Sequence, residues 1–282
     1  MLSLYDKCVL GGNIFSFLNK NNSHALINKS LELGINSIDT SDSYGNGISE
    51  EYIGDILKKI KRSNIKIYTK AGTTNIAQAN GLYTKKNITE KLNNSLKRLN
   101  TDYIDIYQLH NYDAITPINE IFDTLENLKI EGKILNYGVS NFNKSHLINL
   151  KKKDLLKQIF TNQVHYNLVN RQNVELSKFS KILVYGVLAR GLFRSNPENS
   201  FRRLKSTNVE GDKNSKIFKL LFNLLTIFAK DNNISITDIA INFALINKDI
   251  YKVIFGLRTI DQLLFLYKSI ITNYKKKLII VN

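Results

Sequence analysis

The sequence predicts an α/β protein folded as a closed (β/α)8 TIM barrel. Short runs rich in β-branched residues alternate with amphipathic stretches, which is typical of repeated βα units around a parallel sheet. Eight such runs occur in 282 residues, and a closed barrel accounts for eight units more economically than an open doubly wound sheet. We therefore expect one barrel domain over residues 1–282.

The predicted strands are short apolar runs bounded by polar residues. In chain order they are Lys7–Leu10, Ile35–Ile38, Ile65–Thr69, Ile104–Leu109, Tyr137–Val139, Ile159–Val164, Ile182–Tyr185 and Lys252–Phe255. The residues before Lys7 then form a short N-terminal segment that precedes or caps the barrel.

Several helix ends can be located from residues that favour them. Ser23 is the predicted start of the first helix, and Gly34 is its predicted end, because glycine commonly closes helices. Pro117 lies where the first turn of a helix tolerates proline. Ser235, followed three residues later by Asp238, resembles a capping box.

The region between the seventh and eighth predicted strands departs from the repeat. Residues 194–215 are polar, rich in Asn and Lys, and without periodicity, which predicts a long loop after strand 7. In a barrel this loop would overhang the carboxyl-terminal mouth, where active sites are built. Residues 216–230 and 235–247 both look helical, so one of them is predicted to be an extra helix.

The formal net charge of +16 raises the possibility of nucleic-acid binding. The lysines are spread over nearly every predicted helix, however, and the densest runs, 151–153 and 275–277, lack interleaved aromatic residues. We interpret them as solvated helix faces and expect no nucleic-acid partner.

Membrane and metal binding are also not expected. No apolar run approaches the roughly 18 to 20 residues that span a bilayer, and residues 1–20 lack the features of a signal peptide, so we expect a cytoplasmic protein with no membrane partner. The single cysteine, Cys8, cannot form an internal disulfide, and the four histidines show no metal-ligand spacing. No pattern assigns an oligomeric state.

Four polar side chains follow three successive predicted strands. Asp39 comes after Ile35–Ile38, Tyr44 lies in the loop just beyond it, Lys70 ends the next strand, and His110 ends the one after that. A barrel brings the carboxyl ends of adjacent strands to one mouth, so these side chains can meet around one reacting atom.

Such a set permits proton transfer to a carbonyl oxygen. Tyrosine titrates near pH 10, and the Lys70 ammonium would lower the pKa of Tyr44. Asp39 would keep Lys70 protonated, and His110 would donate a hydrogen bond that orients the substrate carbonyl. Tyr44 then acts as general acid while a hydride reaches carbon. No side chain donates hydride, so this mechanism requires a nicotinamide cofactor.

Each of the four residues also has an ordinary structural interpretation. Asp39 could cap a turn, Lys70 could be a solvated strand end, His110 a hydrogen-bonded rim residue, and Tyr44 a packing aromatic. Their coincidence on consecutive strands favours the functional interpretation.

Several ordered segments resemble the signature segments of the aldo-keto reductase family. They are residues 36–45 (NSIDTSDSYG), 68–70 (YTK), 96–99 (LKRL), 102–105 (DYID), 108–110 (QLH) and 138–142 (GVSNF), within a resemblance that runs from Leu10 to about Leu266. By this resemblance Asp39, Tyr44, Lys70 and His110 match the family's catalytic tetrad, with Tyr44 as proton donor. The implied roles agree with those derived from the residues.

The resemblance also implies a nicotinamide site. Ser140, Asn141 and Gln163 match residues that hydrogen-bond the nicotinamide amide, and Tyr185 matches the aromatic residue that stacks on the ring. Ordinary strand-end capping and core packing are the alternative interpretations of these residues.

Two further segments match the phosphate-binding parts of the family. Residues 185–191, which include Gly186 and Leu188, resemble its pyrophosphate loop. Gly256, Arg258 and Gln262 lie where the last strand meets the last helix, at a helix N-terminus that favours phosphate. Arg258 is the candidate for the adenosine 2′-phosphate, which favours NADP(H) over NAD(H) and leaves NAD(H) possible.

The sequence departs from the family pattern at several positions. Gly186 stands where serine is often found, Phe255 where proline is common, and Leu266 where asparagine often touches adenine. Residues 45–47 (GNG) lack the third glycine of a dinucleotide-binding fingerprint, so we interpret them as a flexible turn before a helix at Ser49.

Three functions remain open from the sequence. The first is an NADP(H)-dependent reductase of a carbonyl substrate, and the second is a cofactor-binding sensor or regulatory protein on the same fold. In the third, Lys70 is the Schiff-base lysine of an aldolase. Substrate contacts would come from loops after residues 12–13 and in 194–215, and we expect a small aldehyde or a sugar.

Overall fold

Eight parallel strands form a closed barrel in a computed structural model of the protein, which describes residues 5–72, 81–193 and 211–274. Neighbours in the chain pair with each other, and the last strand closes onto the first. The strands are β1 (Cys8–Gly11), β2 (Ser37–Asp39), β3 (Lys66–Ala71), β4 (Ile104–Leu109), β5 (Ile134–Ser140), β6 (Thr161–His165), β7 (Lys181–Tyr185) and β8 (Ile250–Phe255). The predicted fold class is confirmed, and every predicted strand overlaps an observed one.

The α-helices of the described residues lie between the strands and after the last one. They are α1 (Lys20–Glu32), α2 (Ile48–Leu57), α3 (Lys85–Leu99), α4 (Ile118–Ile130), α5 (Lys144–Lys152), α6 (Gly211–Asp231), α7 (Ile236–Leu245) and α8 (Ile260–Tyr274). None of these helices has both the length and the apolar character needed to span a bilayer.

The helices depart from a strict one-to-one repeat at two connections. Between β6 and β7 the chain forms a 3-10 helix, Gln172–Lys178, in which only Leu176 is buried. This segment has too few apolar positions to cover the barrel as an α-helix. Both α6 and α7 precede β8, so the predicted extra helix is confirmed.

Two predicted boundaries were wrong. Helix α1 begins after Asn19, whose side chain accepts a hydrogen bond from Asn22 N, so Ser23 lies inside the helix. Residues 211–215 belong to α6 and not to the predicted loop; this part of the helix precedes its first large apolar residue, Ile217, so apolar periodicity could not locate the helix start. Residues 194–210 of that loop lie outside the described residues.

The other predicted helix ends are confirmed. Gly34 follows α1 with a φ of +82°, which glycine adopts without strain. Pro117 is the N-cap of α4, directly before the first turn. Ser235 and Asp238 form a capping box at the start of α7, where each side chain accepts a hydrogen bond from the other residue's backbone N–H.

The barrel interior is apolar near its middle and polar at its carboxyl-terminal end. Val9, Tyr68, Ile106, Leu183 and Ile254 form a buried cluster contributed by five of the strands. Because side chains alternate along a strand, the residue two positions after Tyr68 also faces inward. The polar residues at strand ends therefore stand directly above a packed apolar layer.

Asp6 and Lys7 lie against the opposite, amino-terminal end of the barrel. Lys252 Nζ lies 2.6 Å from Asp6 O, and Lys7 Nζ lies 3.0 Å from Leu245 O and 2.9 Å from Asn247 O. Burial lowers the pKa of Lys252 to about 8. These bonds tie Asp6 and Lys7 to β8 and to the end of α7.

Candidate active site

Asp39 and Lys70 form a buried ion pair at the barrel mouth. Asp39 ends β2 and Lys70 lies near the end of β3, and Lys70 Nζ is 2.7 Å from Asp39 Oδ2. The Lys70 side chain is 0% exposed and that of Asp39 is 4% exposed. Lys70 Nζ also donates to Thr40 O at 2.8 Å. The ammonium is therefore fixed by two acceptors.

Tyr44 completes the shell around the Lys70 ammonium. Lys70 Nζ donates to Tyr44 Oη at 3.3 Å and lies 4.9 Å from the centre of the Tyr44 ring. The turn after Tyr44 is left-handed, with φ values of +60°, +53° and +96° at Gly45, Asn46 and Gly47. A Cβ at Gly45 would lie 2.5 Å from Ser16 Cβ, so this turn packs tightly and holds the tyrosine in place.

His110 lies beside the tyrosine. The two rings are 5.9 Å apart and nearly perpendicular, at 80°. His110 Nδ1 is 3.2 Å from Ser41 Oγ, and its backbone N donates to Ala71 O at 2.9 Å. A Ser41 hydroxyl that donates to Nδ1 leaves the ring proton on Nε2. The structure thus brings together all four residues that the sequence predicted.

The environment sets the protonation state of each group. Burial raises the pKa of Tyr44, and the nearby Lys70 ammonium only partly opposes this. The expected lowering of the Tyr44 pKa was therefore wrong, because desolvation of the phenolate outweighs the attraction of the ammonium. Burial, followed by the charge of Lys70, lowers the pKa of His110 to about 3.

Lys70 itself stays charged. Burial acts to lower its pKa, but the charges and hydrogen bonds of Asp39 and Tyr44 together raise it above its ordinary value. At neutral pH the mouth therefore holds a protonated phenol, an ammonium and a neutral imidazole. This is a set that can donate one proton to an oxygen and hydrogen-bond it from a second side.

Gln163 connects the predicted cofactor residues to this set. Gln163 Nε2 donates to Asp39 Oδ1 at 2.7 Å. Gln163 O accepts from Ser140 Oγ at 3.1 Å and from Asn141 N at 2.9 Å. The ends of β2, β5 and β6 are therefore joined by hydrogen bonds around the mouth.

Asn141 and Tyr185 extend the network to β4 and β7. Asn141 Nδ2 donates to His110 O at 3.0 Å, and Tyr185 Oη donates to Asn141 Oδ1 at 2.8 Å. Asn141 has a φ of +60°, a left-handed conformation that asparagine tolerates better than most residues. The structure therefore places Ser140, Asn141, Gln163 and Tyr185 in one network with the tetrad.

The segment after β7 forms a tight turn. Gly186 has a φ of +76°, Ala189 N donates to Gly186 O at 2.9 Å, and Gly191 N donates to Leu188 O at 2.8 Å. A 3-10 helix, Ala189–Gly191, follows. Gly186 and Leu188 thus lie directly beyond Tyr185 on the mouth side.

Gly256, Arg258 and Gln262 lie between β8 and the first turn of α8. Arg258 is exposed, and its backbone N donates to Gln262 Oε1 at 2.8 Å, so the glutamine side chain caps the helix start. The hydrogen bonds described for these three residues do not reach the tetrad. Phe255 and Leu266, two of the departures from the family pattern, are core residues that are 3% and 2% exposed.

The sequence did not point to Thr40 and Ser41 as residues that orient the tetrad, nor to this role for Gln163. Thr40 O and Ser41 Oγ contact Lys70 and His110, and Gln163 contacts Asp39. Thr40 and Ser41 directly follow Asp39 in the chain, and that adjacency was the available signal. The Gln163 contact spans 124 positions, and no local pattern points to it.

Comparison with known proteins gives one consistent family. The profile of the aldo/keto reductase family matches residues 7–277. Aldo-keto reductase YhdN of Bacillus subtilis is 37% identical over 193 residues, which cover 65% of this chain and 57% of YhdN. The aligned part is thus less than two thirds of that relative.

Solved structures show the same architecture. The chain superposes on the holo form of aldo-keto reductase AKR11C1 from Bacillus halodurans with a TM-score of 0.71 and 26% identity, covering 94% of this chain and 86% of that one. An aldo/keto reductase from Klebsiella pneumoniae in complex with NADP and acetate gives a TM-score of 0.73 at 21% identity, with 94% and 85% covered. The chain belongs to the aldo-keto reductase family.

Proposed function

We propose that this chain is an NADP(H)-dependent oxidoreductase that transfers hydride between a nicotinamide and a carbonyl or alcohol substrate. The observation that carries the proposal is the position of Lys70 Nζ, 2.7 Å from Asp39 Oδ2 and 3.3 Å from Tyr44 Oη. An ammonium held in this way by a carboxylate stabilises a phenolate as it forms, so Tyr44 can give up its proton.

The residues at the mouth fit a nicotinamide. Gln163 uses Nε2 on Asp39, and among the described residues its Oε1 accepts no hydrogen bond, so that oxygen can accept from a carboxamide N–H. Tyr185, whose hydroxyl is held by Asn141, presents an aromatic ring beside these groups. Ser140, Asn141 and Gln163 are the proposed amide contacts, and Tyr185 is the proposed stacking residue.

The chemistry divides between the cofactor and the chain. The bound nicotinamide supplies or accepts the hydride. His110, neutral because its pKa is about 3, donates a hydrogen bond to the substrate oxygen. Tyr44 donates its proton to the same oxygen as the hydride reaches carbon, and Lys70 stabilises the resulting phenolate. In the oxidative direction Tyr44 takes the proton back.

The aldolase alternative is disfavoured by the state of Lys70. A Schiff base requires a neutral amine as nucleophile. Here Asp39 and Tyr44 raise the pKa of Lys70, and its Nζ already donates to Asp39, Thr40 and Tyr44. The sensor alternative shares the cofactor site and differs in turnover.

The proposed cofactor and the proposed substrate class rest on fewer contacts than the roles of the tetrad do. Gly186 and Leu188 are proposed to bind the diphosphate, and Gly256, Arg258 and Gln262 the adenosine phosphate. An arginine at this place favours NADP(H), because guanidinium matches phosphate geometry. The Klebsiella structure of the same fold was solved with NADP. We propose a small aldehyde or a sugar as substrate.

The test is a titration of the purified protein with NADPH and with NADH, followed by cofactor fluorescence. A panel of aldehydes and sugars is then added. Tight NADPH binding followed by substrate-dependent oxidation supports a reductase, and binding without oxidation of any substrate supports the sensor. A protein that binds neither cofactor contradicts the proposal.

A further inference from the structure

We propose that His165 is a positioning residue for Tyr185, and that its imidazole occupies the space left by the missing side chain at Gly186. The proposal rests on the proposed function, because the role of Tyr185 is to stack on the nicotinamide. His165 is the last residue of β6 and pairs in register with Tyr185, the last residue of β7. Both side chains are partly exposed at the mouth.

The space around Gly186 shows what the imidazole replaces. A Cβ at position 186 would lie 2.4 Å from His165 Cδ2 and 2.5 Å from His165 Nε2, so a side chain at this position would require the imidazole to move. Gly186 also has a φ of +76°, which disfavours other residues. The imidazole therefore occupies the volume that a serine side chain at this position would need. Histidine at 165 and glycine at 186 thus fit each other sterically.

The imidazole also contacts the proposed stacking ring. The His165 and Tyr185 rings are 5.4 Å apart at an angle of 62°, an edge contact. At its other end Tyr185 Oη donates to Asn141 Oδ1 at 2.8 Å. Among the described residues, the tyrosine ring is thus held at its hydroxyl by Asn141 and at its edge by His165.

Asparagines in the following turn hold the imidazole itself. Asn167 Oδ1 accepts from Val169 N and Asn170 N, both at 2.9 Å, which fixes the Asn167 amide with its Nδ2 toward Gly186 O at 3.3 Å and His165 Nε2 at 3.4 Å. Because Asn167 Nδ2 can only donate, His165 Nε2 is the acceptor and the ring proton lies on Nδ1.

The second ring nitrogen has a matching partner in Asn170. Asn170 Nδ2 is 3.3 Å from His165 Nδ1, while Asn170 Oδ1 is buried and has no partner among the described residues. Turning this amide by 180° brings the oxygen toward the Nδ1 proton. Asn173 Nδ2 donates to His165 O at 2.9 Å, so three asparagines spaced three residues apart surround this histidine.

The experiment separates the packing of Tyr185 from catalysis. The protein is labelled with 3-fluorotyrosine, and the Tyr185 ¹⁹F resonance is assigned with Tyr185→Phe and recorded without cofactor. In His165→Ala we expect this resonance to shift or broaden. We also expect the Kd for NADPH to rise about three- to tenfold, the worth of one aromatic edge contact, while kcat stays nearly constant. His165→Phe keeps a ring and should give smaller changes in both readouts.

A double-mutant cycle tests the coupling to position 186. Gly186→Ser alone should shift the Tyr185 resonance and weaken NADPH binding because the serine meets the imidazole, and adding His165→Ala should reverse part of both effects. His146→Ala is the control, since His146 also stacks on a tyrosine, Tyr112, at 3.9 Å, and among the described residues the ring contact of Tyr185 is with His165 and not with His146. It should leave the Tyr185 resonance and NADPH binding unchanged.

The outcomes distinguish this proposal from the proposed function. An unchanged Tyr185 resonance in His165→Ala, or additive effects in the cycle read from that resonance, overturns the positioning role. A wild-type protein that binds no NADPH overturns the proposed function, and the ¹⁹F readout still decides whether His165 holds Tyr185.

Discussion

Gln163 Nε2 donates a 2.7 Å hydrogen bond to Asp39 Oδ1 and so connects β6 to β2 across the barrel mouth. The two oxygens of Asp39 are divided between neighbours, because Oδ2 is paired with Lys70 Nζ at 2.7 Å. The residue proposed to contact the nicotinamide amide therefore also orients the carboxylate on which the lysine depends. On this proposal, cofactor binding and the tetrad share the side chain of Gln163.

Gln163→Leu should weaken both functions of this side chain. The substitution removes a hydrogen bond to a charged group, a loss of about 1.5–3 kcal/mol in the free energy of unfolding. It should also raise the Kd for NADPH, because the amide contact is lost. Urea unfolding and fluorescence titration measure the two effects. Gln172→Leu, at an exposed position, is the control and should change neither. A loss of NADPH affinity with unchanged stability would show that the Asp39 bond contributes nothing.

The buried pair of Asp39 and Lys70 predicts a strong stability cycle. Lys70→Met leaves an uncompensated carboxylate in a site that is almost fully buried, and we expect a loss of about 3–5 kcal/mol in the free energy of unfolding. The double variant Lys70→Met with Asp39→Asn should recover a substantial part of it. Urea unfolding of the single and double variants tests this.

An exposed ion pair on the surface provides the comparison for that cycle. Lys129 and Glu126 are 4.0 Å apart with side chains 43% and 41% exposed, so Lys129→Met should cost less than about 1 kcal/mol. Equal losses in the free energy of unfolding for Lys70→Met and Lys129→Met would contradict the prediction that the buried pair contributes more than the exposed one.

His110 should make the stability depend on pH. Its pKa is about 3 in the folded protein, below its ordinary value of 6.5, so the unfolded chain binds the proton more readily. The free energy of unfolding therefore has its full value, as far as His110 is concerned, above pH 6.5. It falls as the pH drops from 6.5 toward 3, by at most about 1.4 kcal/mol per pH unit. Urea unfolding at pH 7.5, 6.5 and 5.5 should show this slope in the wild type and a smaller slope in His110→Gln. Parallel curves for the two proteins would mean that His110 titrates normally.

Local patterns in the sequence predicted the barrel and the tetrad because both depend on short-range features. Asp39, Lys70 and His110 each lie at the end of a predicted strand. Closure of the barrel brings these strand ends together, and this does not depend on the exact bounds of the helices. The absence of an α-helix between β6 and β7 was not predicted, although the small number of apolar residues in Gln172–Lys178 was an available signal.

The contacts between distant strands could not be predicted from such patterns. Whether Gln163 points at a cofactor or at Asp39 depends on barrel stagger and on rotamers. The pKa of Tyr44 was predicted in the wrong direction for a related reason. The charge of Lys70 is evident in the sequence, whereas the depth of burial that outweighs it emerges only once the surrounding strands and turn are packed.

Arg258 should determine the choice between NADPH and NADH. If its guanidinium binds the 2′-phosphate, Arg258→Gln should raise the Kd for NADPH about tenfold or more, the effect of losing a charge-assisted bidentate contact. The Kd for NADH should stay within about twofold, because NADH lacks that phosphate. Lys268→Gln, an exposed cation on the same helix α8, is the control for general charge effects. A similar loss for both cofactors in Arg258→Gln would assign the arginine to a shared part of the dinucleotide.

Tyr44→Phe should separate chemistry from binding. The variant keeps the ring that lies beside His110 and loses only the hydroxyl, which is 3.3 Å from Lys70 Nζ. We expect kcat for carbonyl reduction to fall about 10²- to 10⁴-fold, the usual contribution of a positioned general acid, with the Kd for NADPH nearly unchanged. Tyr52→Phe on α2, away from the mouth, should retain full turnover. Because burial keeps the Tyr44 pKa above 10, the wild-type reduction rate should stay constant through neutral pH and fall only in the alkaline range. Full activity in Tyr44→Phe would remove Tyr44 from the mechanism and leave His110 as the remaining donor to the substrate oxygen.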